Sequence, residues 1–537
     1  MTEADSTDNG SDLRERSSVD VTADVAVVGY GPVGMVMTAL LGQAGHRVVA
    51  LERYAGPYNL PRAASFDGET MRTLARLGVA EGLVPKLRVQ RTYEWRNGAG
   101  DLLIEQDFAQ TGRSGWAEWY MMHQPDLEEA LDGVCRSLPA AHVRYSSPVV
   151  AVEQDGEGVV LTVDGPRGSE RVAARYAVAC DGGNSFVRRE LEIGQQDYGF
   201  SEPWMVCDVR LRRPLEIPPA LQLGDPANPT SIISLGPAHH RFSFMLDSEA
   251  AFDVESDPDR VWKRIARYVG RDDADLIRVA TYTFRSLIAD EWRRGRVVLA
   301  GDAAHQMPPF LGQGMCSGIR DAQNLAFKLD LILRGAASDD LLDTYQLERE
   351  PHVRAVTEKG IELGHRQTIR DPGRAAARDR ELLARRAAAR KPETIRLPGL
   401  VSGLLAQAAG PGRGQLSVQG VVDDGIRRDR LDQLVGAGFH LLVDQPLLSR
   451  LGQADVLVAL RGAGVHVIAP GEHVFDHPFA AVLRDVDGTY RRWFAELGCS
   501  AVAVRPDFYV FGTAGTADAT TALAEELLSV TGRTVTT

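Results

Sequence analysis

The chain has 537 residues, which is long for a single hydrophobic core and predicts two or three domains. Its apolar fraction of 44% and charged fraction of 25% are those of an ordinary globular protein, and no apolar run approaches the ~20 residues of a membrane span. The net charge of −13 disfavours nucleic acid or an anionic membrane as a partner, because both attract basic surfaces.

The N-terminal residues and the cysteines indicate the compartment in which the protein works. Residues 1–20 are polar and acidic and lack the apolar core of a signal peptide, so we expect a disordered tail. The cysteines form no CxxC pair. Their scatter indicates reduced thiols in a cytoplasmic protein: Cys135, Cys180, Cys207, Cys316 and Cys499.

A strand, a glycine-rich turn and a helix follow the tail. DVAVV (24–28) predicts a buried strand, GYGPVG (29–34) predicts a tight turn, and the next residues predict a helix through Gln43. The second strand, HRVVALE (46–52), completes a βαβ unit.

The turn has the spacing of a dinucleotide-binding fingerprint. In this context Gly29 allows the tight turn, Gly31 lets a pyrophosphate approach, and Gly34 lets helix and strand pack closely. Glu52 ends the second strand, where a carboxylate can hold a ribose hydroxyl. We therefore predict adenine-dinucleotide binding, without a choice between NAD and FAD. An ordinary glycine-rich turn would explain the glycines but not Glu52.

The remaining pattern divides the chain into segments. Helical patterns cover 68–82 and 125–137, strand-like runs dominate from about 190 to 290, and strand and helix signals alternate again near the C-terminus. The predicted organisation is a tail (1–20), a dinucleotide-binding domain in two parts (21–190 and 291–395, the second with a helical region), an inserted sheet-rich substrate domain (191–290), a linker (396–415) and a C-terminal domain (416–537).

The stretch GDAAHQMPPFLGQGMCSG (301–318) follows the apolar strand VVLA (297–300) and is poor in large side chains. Glycines stand at 312, 314 and 318. We expect such a stretch to bring backbone N–H groups close to a large anionic group rather than to serve packing.

Three motifs in this order resemble the class A flavoprotein aromatic hydroxylases: GYGPVG, ACDGGNSFVRREL and GDAAHQMPPFLGQGMCSGIRDAQNLAFKL. The resemblance covers residues 22–360, and within it 52–78 is most similar to the 3-(3-hydroxyphenyl)propionate hydroxylase branch. RPDFYVFG (505–512) resembles the thioredoxin-like C-terminal domain of phenol hydroxylase relatives. The implied fold is α/β (α+β) and p-hydroxybenzoate-hydroxylase-like, with a Rossmann-type FAD domain, an inserted sheet-rich substrate domain and a thioredoxin-like C-terminal domain.

The resemblance also implies which residues contact the cofactor. Asp302 resembles the acid that binds the FAD ribityl chain, and Gly312 with Gly314 would open a helix toward the flavin. Asp302 as a simple turn residue and Arg62 as a surface ion-pair partner are the alternatives. The implied FAD-binding residues are Gly29, Gly31, Gly34, Glu52, Arg53, Arg62, Gln124, Asp181, Gly182, Asp302, Pro309, Gly312, Gly314 and Met315.

The implied reaction is hydroxylation of a small phenolic compound, 3-(3-hydroxyphenyl)propionate-like, ortho to its hydroxyl, through a flavin C4a-hydroperoxide. It needs bound FAD, NADH or NADPH, and O₂, and no metal. Asp67 precedes Arg72-Thr73-Leu74 as the active-site aspartate of phenol hydroxylase-like enzymes precedes their RTL, so Asp67 is a candidate to orient or deprotonate the phenol. A helix N-cap is the alternative for Asp67. His305 is the second catalytic candidate, against a loop histidine held by backbone.

Three alternatives remain at this stage. The same scaffold could hydroxylate a polycyclic polyketide, or the protein could bind flavin without turnover. The third alternative, a plain NAD dehydrogenase, is disfavoured because it would not need Gly301-Asp302. The C-terminal domain lacks CxxC, so we expect a structural role for it, with a homodimer interface left open.

Overall fold

The structure is a computed structural model that describes residues 19–58, 60–166, 168–391, 397–451 and 455–532. Within these ranges no helix is both long and apolar enough to cross a membrane. All five cysteines are free thiols. Of the expected tail, residues 1–18 lie outside the described residues.

The first part of the chain alternates strands with helices. Its elements are β1 (Val21–Val28), α1 (Pro32–Gln43), β2 (Val48–Leu51), β3 (Ser65–Asp67), α2 (Gly68–Arg76), α3 (Ala80–Leu83), β4 (Arg88–Val89), β5 (Tyr93–Asn97), β6 (Leu102–Gln106), β7 (Trp119–Met121), α4 (Gln124–Ser137), β8 (Ala141–Arg144), β9 (Val149–Gln154), β10 (Val159–Gly165), β11 (Gly168–Ala179) and α5 (Phe186–Glu190). The predicted βαβ unit corresponds to β1, α1 and β2.

The middle of the chain is mainly strands and ends in three long helices. Its elements are β12 (Gln195–Leu211), β13 (Ala220–Gly224), β14 (Thr230–Ser234), β15 (His239–Met245), α6 (Phe252–Glu255), α7 (Pro258–Ile265), β16 (Ala274–Ala289), β17 (Arg293–Arg294), β18 (Val297–Leu299), β19 (His305–Gln306), α8 (Gly314–Leu333), α9 (Asp343–Gln367) and α10 (Pro372–Ala387). Short 3-10 turns at Gly301–Ala303 and Pro309–Leu311 connect β18 to α8.

The first sheet places the glycine turn at its centre. Its strand order is β17-β18-β11-β1-β2-β8, with β10 paired to β11 and β9 to β10. Because β1 pairs in parallel with both β11 and β2, the winding reverses at β1. Such a switch point leaves a crevice at the carboxyl ends of the strands, where α/β folds bind their ligands.

The second sheet combines strands from distant parts of the sequence. Its order is β19-β16-β12-β15-β14-β13-β5-β6, so residues 93–106 join a sheet that we expected from 191–290 alone. The joint is a parallel pairing between β13 and β5. One face packs against α7 through a core that includes Met205, Ile232 and Phe242, and the opposite face looks toward the first sheet.

The C-terminal segment forms a third sheet. Its elements are β20 (Val421–Asp423), β21 (Arg428–Arg430), α11 (Leu431–Val435), β22 (His440–Val443), α12 (Gln445–Leu451), α13 (Asp455–Gly462), β23 (His466–Gly471), β24 (Ala481–Asp485), α14 (Thr489–Leu497), β25 (Ala501–Val504), β26 (Val510–Ala514) and α15 (Ala517–Val530). The strand order is β21-β20-β24-β23-β22-β25-β26. The thioredoxin-like character of this segment stays a prediction.

Candidate active site

A cleft of about 730 Å³ is lined by residues of the first and second sheets, and we call it the central cleft. It adjoins an outer cavity of about 1210 Å³. The lining residues shared by the two spaces are Ser65, Tyr93, Ser231, Ile233, Pro309, Phe310, Gly312 and Gln367. The predicted residues that line the central cleft are Gly29, Gly31, Glu52, Arg53, Arg62, Gln124, Asp181, Gly182, Asp302, Pro309, Gly312, Gly314 and Met315.

The glycine turn at one end of the cleft has three distinct steric requirements. Gly29 has a φ of +92°, and a Cβ there would lie 2.5 Å from the carbonyl oxygen of Cys180. A Cβ on Gly34 would lie 2.1 Å from the carbonyl oxygen of Gly29, so this residue serves packing and does not line the cleft. A Cβ on Gly31 would meet nothing within 4 Å, which leaves its face open for a ligand.

Two helices begin at the cleft without neutralising their positive ends. Neither α1 nor α8 has a side-chain N-cap hydrogen bond or an acidic residue in its first turn. Their first N–H groups and the positive end of each helix dipole therefore remain available to an anion. This arrangement fits the diphosphate and the reduced ring of a flavin dinucleotide.

Glu52 lies beside the glycine turn. Its carboxylate accepts hydrogen bonds from the backbone N–H of Tyr30 at 2.8 Å and of Tyr54 at 3.0 Å. These two bonds fix the carboxylate at the end of β2, with lone pairs left for the hydroxyls of a ribose.

Two aspartates in the cleft have carboxylate oxygens without hydrogen-bond partners among the described residues. Asp302 opens onto the cleft, and its side chain makes no hydrogen bond there. Asp181 holds the start of α5 by accepting from the N–H of Val187 at 3.1 Å, while its buried Oδ1 is unpartnered. Burial raises the pKa of Asp181. Unpaired oxygens at this position fit the hydroxyl donors of a bound cofactor.

The expectation that the glycines of 301–318 do not serve packing is wrong. A Cβ on Gly318 would lie 2.5 Å from Cγ2 of Val33 and 3.0 Å from Cα of Gly301, so these glycines let α8 pack against the glycine turn. Gly312 has a φ of +61°, and Gly314 begins α8 at the cleft. The stretch therefore serves close packing as well as approach to a ligand.

Hydrogen bonds to other protein groups occupy the side-chain amide of Gln124. Its Oε1 accepts from the N–H groups of Arg62 at 3.0 Å and Ala63 at 2.6 Å, and its Nε2 donates to Glu128 at 2.6 Å. Arg241 donates to the carbonyl oxygens of Pro61 and Arg62 from the other side. Side chains from α4 and β15 thus hold the backbone of 61–63 in place along the cleft.

The two arginines of this edge stack on aromatic rings. The guanidinium of Arg62 lies 4.3 Å from the ring centre of Tyr58, and that of Arg53 lies 4.8 Å from the ring centre of Tyr54. No ion pair of Arg62 occurs within the described ranges, which disfavours the surface ion-pair alternative. Both charges stay available for a diphosphate.

His305 lies in the core of the protein. The ring is fully buried, its Nε2 lies 2.6 Å from Asp321 Oδ2, and it packs beside Trp292. It lines neither the central cleft nor the outer cavity. This placement disfavours contact with substrate, because Asp321 holds the ring in the core, and a catalytic role for His305 stays a prediction.

Asp67 lines the outer cavity and has its carboxylate occupied. Oδ1 accepts from the N–H of Thr70 at 2.9 Å and so caps α2, while Oδ2 accepts from Gln313 at 3.1 Å and from Arg320. Burial acts to raise the pKa of Asp67, but Arg320 and these hydrogen bonds outweigh it and lower the pKa. The N-cap alternative is thus present, and a catalytic role for Asp67 stays a prediction.

The face of the second sheet that borders the central cleft was not predicted residue by residue, apart from Trp204, whose segment FSEPWMVCDV (200–209) indicated either a strand beside the substrate cavity or an ordinary core position. We call it the sheet wall, and it consists of Trp204, Val206, Gln222, Ser231, Ile233, Arg241, Ser243, Tyr282, Thr283, Phe284 and Arg285. Strand alternation in LQLG, TSIIS and RFSFM (221–224, 230–234 and 241–245) carried the signal for its polar members, since a serine or glutamine between buried apolar residues faces the opposite side. The strand pairing that brings these residues together is not visible in the sequence.

Comparison with known proteins agrees with this geometry. The family model described as "FAD binding domain" matches residues 22–360, more than half of the chain, and the "HcaD C-terminal domain" model matches 414–529. A probable NADH-specific resorcinol 4-hydroxylase of Rhodococcus jostii (strain RHA1) is 49% identical over 94% of each chain. A 3-(3-hydroxy-phenyl)propionate/3-hydroxycinnamic acid hydroxylase of Mycobacterium avium (strain 104) is 32% identical over 92% of this chain and 90% of that protein.

Solved structures give the same fold. The anhydrotetracycline hydroxylase OxyS from Streptomyces rimosus is 27% identical, with a TM-score of 0.75 over 96% of this chain and all of that one. The α/β fold with a p-hydroxybenzoate-hydroxylase-like arrangement is therefore confirmed. The chain belongs to the single-component FAD-dependent aromatic hydroxylases, monooxygenases that use FAD, a reduced nicotinamide nucleotide and O₂.

Proposed function

We propose that this enzyme hydroxylates a small uncharged phenol of the dihydroxybenzene class, such as resorcinol, with NADH as the reductant. The observation that carries the proposal is the charge state of the sheet wall. Two cations stand among the sheet-wall residues: Arg241, whose guanidinium lies 2.7 Å from Asp208 in a buried pair, and Arg285, which is exposed. The buried part of the wall therefore offers a substrate carboxylate no unpaired cation.

This argument moves the substrate away from the phenylpropionate that 52–78 first indicated. The name of the Rhodococcus relative supports the same choice and the preference for NADH. Hydroxylation ortho to an existing hydroxyl is part of the proposal, since that hydroxyl makes the neighbouring ring carbon electron-rich.

The roles of the protein follow from the site. Bound FAD supplies reduction by NADH and activation of O₂. The open starts of α1 and α8 would hold its diphosphate and stabilise negative charge on its reduced ring. Asp302 and Glu52 would bind its hydroxyls, and the aromatic side chains of the sheet wall would orient the phenol and exclude water.

The test is NADH oxidation by the purified flavoprotein with resorcinol, 3-(3-hydroxyphenyl)propionate or no addition, with product mass followed in the same reaction. We expect resorcinol to stimulate oxidation and to gain one oxygen atom. Stimulation with only hydrogen peroxide formed would mean that the phenol fits without being the substrate. Product from the propionate and none from resorcinol would contradict the proposal.

The outer cavity favours a second candidate, a polycyclic aromatic substrate. Its volume of about 1210 Å³ exceeds what one phenol fills, and it opens directly onto the central cleft. A polycyclic phenol included in the same assay distinguishes the two. Product from the polycyclic compound alone would favour this second function.

A further inference from the structure

The pairing of four strands sets three uncharged polar side chains side by side on the sheet wall. The register pairs Gln222 with Ser231, Ser231 with Ser243, and Ser243 with Val206. Paired residues on neighbouring strands point to the same face. We call Gln222, Ser231 and Ser243 the polar row.

The opposite face of the second sheet shows that the side chains of the polar row point toward the cleft. Leu221, Ile232 and Phe242 alternate with its members and are buried in the core against α7. All three members of the polar row instead line the central cleft. The neighbouring wall residues Ile233 and Val206 are apolar.

The side chains of the polar row make no hydrogen bond in the part of the chain that the structure describes. Gln222 is only 4% exposed, and its amide nitrogen is buried without a partner. Ser243 is 8% exposed. A buried amide without a partner is costly, and at Gln222 a ligand in the cleft can supply the partner.

Two neighbouring polar groups differ in this respect. Arg241 lies two residues from Ser243 on the same strand and is committed to Asp208 and to the backbone of 61–62. Tyr93, at the border of the outer cavity, accepts a hydrogen bond from Gln367 at 2.9 Å. The polar row therefore has unused hydrogen-bonding capacity inside the cleft.

We propose that Gln222, Ser231 and Ser243 form a specificity subsite that binds a second, uncharged oxygen substituent of the aromatic substrate. The inference rests on the proposed function, because it assumes a small phenol in the central cleft. An amide and two hydroxyls can each donate and accept, which matches a hydroxyl group. The row carries no positive charge, so it would select a hydroxyl over a carboxylate.

The test compares resorcinol with phenol, which lacks the second hydroxyl, in the holoenzyme and in Gln222→Met. We expect Gln222→Met to lower kcat/KM for resorcinol by about ten- to hundredfold, the loss typical of one buried hydrogen bond, and to leave phenol nearly unchanged. Ser231→Ala/Ser243→Ala should shift the ratio in the same direction. Gln196→Met, on the exposed part of β12 outside the cleft, is the matched control.

The outcomes separate the subsite from the proposed function. Equal losses for both phenols, or no loss in either variant, would overturn the subsite while wild-type turnover of resorcinol still supported the function. If resorcinol is bound but not hydroxylated, the same ratio is measured by titrating the flavin absorbance. If neither phenol binds or reacts, both the function and the subsite are overturned. FAD content and Tm of each variant check its folding.

Discussion

Buried polar groups are paired at the contact between α9 and the C-terminal sheet, whereas several polar groups of the central cleft have no partner among the described residues. At the contact, Arg505 donates to Glu348 at 2.6 Å and to Asp507 at 2.7 Å, and Lys328 lies 2.9 Å from Glu348. These four side chains are almost completely buried, and we call them the charge cluster. In the cleft, Asp302 and the polar row have no such partners.

The difference separates structure from function. A buried charge with its counter-charge holds two parts of the fold in one arrangement, whereas an unpaired polar group in a cleft is completed by a ligand. The charge cluster joins α8, which begins at the cleft, to the C-terminal sheet. The charge cluster therefore fixes the C-terminal segment to α8 and α9, which fits the structural role expected for it.

Removing Arg505 should give the largest effect on stability. Arg505→Met leaves Glu348 and Asp507 buried without their shared cation, which we expect to cost about 3–5 kcal/mol. Arg505 and Lys328 outweigh the effect of burial and hold the pKa of Glu348 below its ordinary value, so these groups are charged in the native protein. Thermal and urea unfolding measure the loss.

The control for Arg505→Met is Arg271→Met, which removes an exposed partner of Asp259. Exposed pairs contribute ~0–1 kcal/mol, so this variant should melt near the wild type. Equal melting of the two variants would mean that the charge cluster does not hold the C-terminal sheet in place.

Asp302→Ala should have the opposite combination of effects: unchanged stability and weaker FAD binding. Because Asp302 has no partner among the described residues, the apoprotein should keep its Tm, while FAD binding should weaken by about ten- to hundredfold through loss of a charge-assisted hydrogen bond. Titration of apoprotein with FAD, followed by flavin fluorescence, measures the affinity. Asp272→Ala, an exposed aspartate outside both cavities, is the control. Unchanged FAD affinity would place Asp302 among ordinary turn residues.

The comparison also explains which parts of the site are visible in the sequence. Gly29, Gly31 and Glu52 are predictable because their roles depend on a local strand, turn and helix. The start of α8 at Gly314 is local in the same way. The general fold follows from these motifs, and the comparisons with known proteins confirm it.

Contacts between distant segments are not predictable in this way. The polar row depends on the register of four strands, and β5 joins that sheet from 93–97. His305 lies in the glycine-rich stretch 301–318 of the sequence, which predicted a position near the cleft. A hydrogen bond with Asp321, 16 residues later, instead holds its ring in the core. The partners of Gln124 and Arg505 likewise lie where only the folded chain brings them.

The pH dependence of the unfolding free energy tests the burial of Glu128, which lines the central cleft. Burial is the main cause that raises its pKa to about 7, from an ordinary value of 4.5. The folded protein therefore binds this proton more tightly than the unfolded chain, so the associated stability is complete below about pH 4.5 and is lost as the pH rises through 7. Glu128→Gln should remove that loss. Relative to wild type, the variant apoprotein should gain on the order of 2 kcal/mol between pH 5 and 8.

The measurement is the difference in unfolding free energy between Glu128→Gln and wild type at several pH values, which cancels other titrating groups. Glu129→Gln, on the same helix but exposed, is the control and should give a flat difference. A flat difference for Glu128→Gln as well would mean that Glu128 is ionised at little cost in the folded protein.

Asp67→Asn should have the smallest effect on turnover. Asparagine keeps the N-cap of α2, and Arg320 keeps Glu69 at 2.8 Å, so we expect less than about a tenfold loss in kcat/KM and unchanged product formed per NADH oxidised. A proton acceptor would instead lose about 10²–10⁴-fold. Glu69→Gln removes the other carboxylate partner of Arg320 without changing Asp67. Equal small effects in the two variants would assign Asp67 to holding Arg320 and Gln313 at the start of α8, whereas a large loss in Asp67→Asn alone would make Asp67 the residue that deprotonates the phenol.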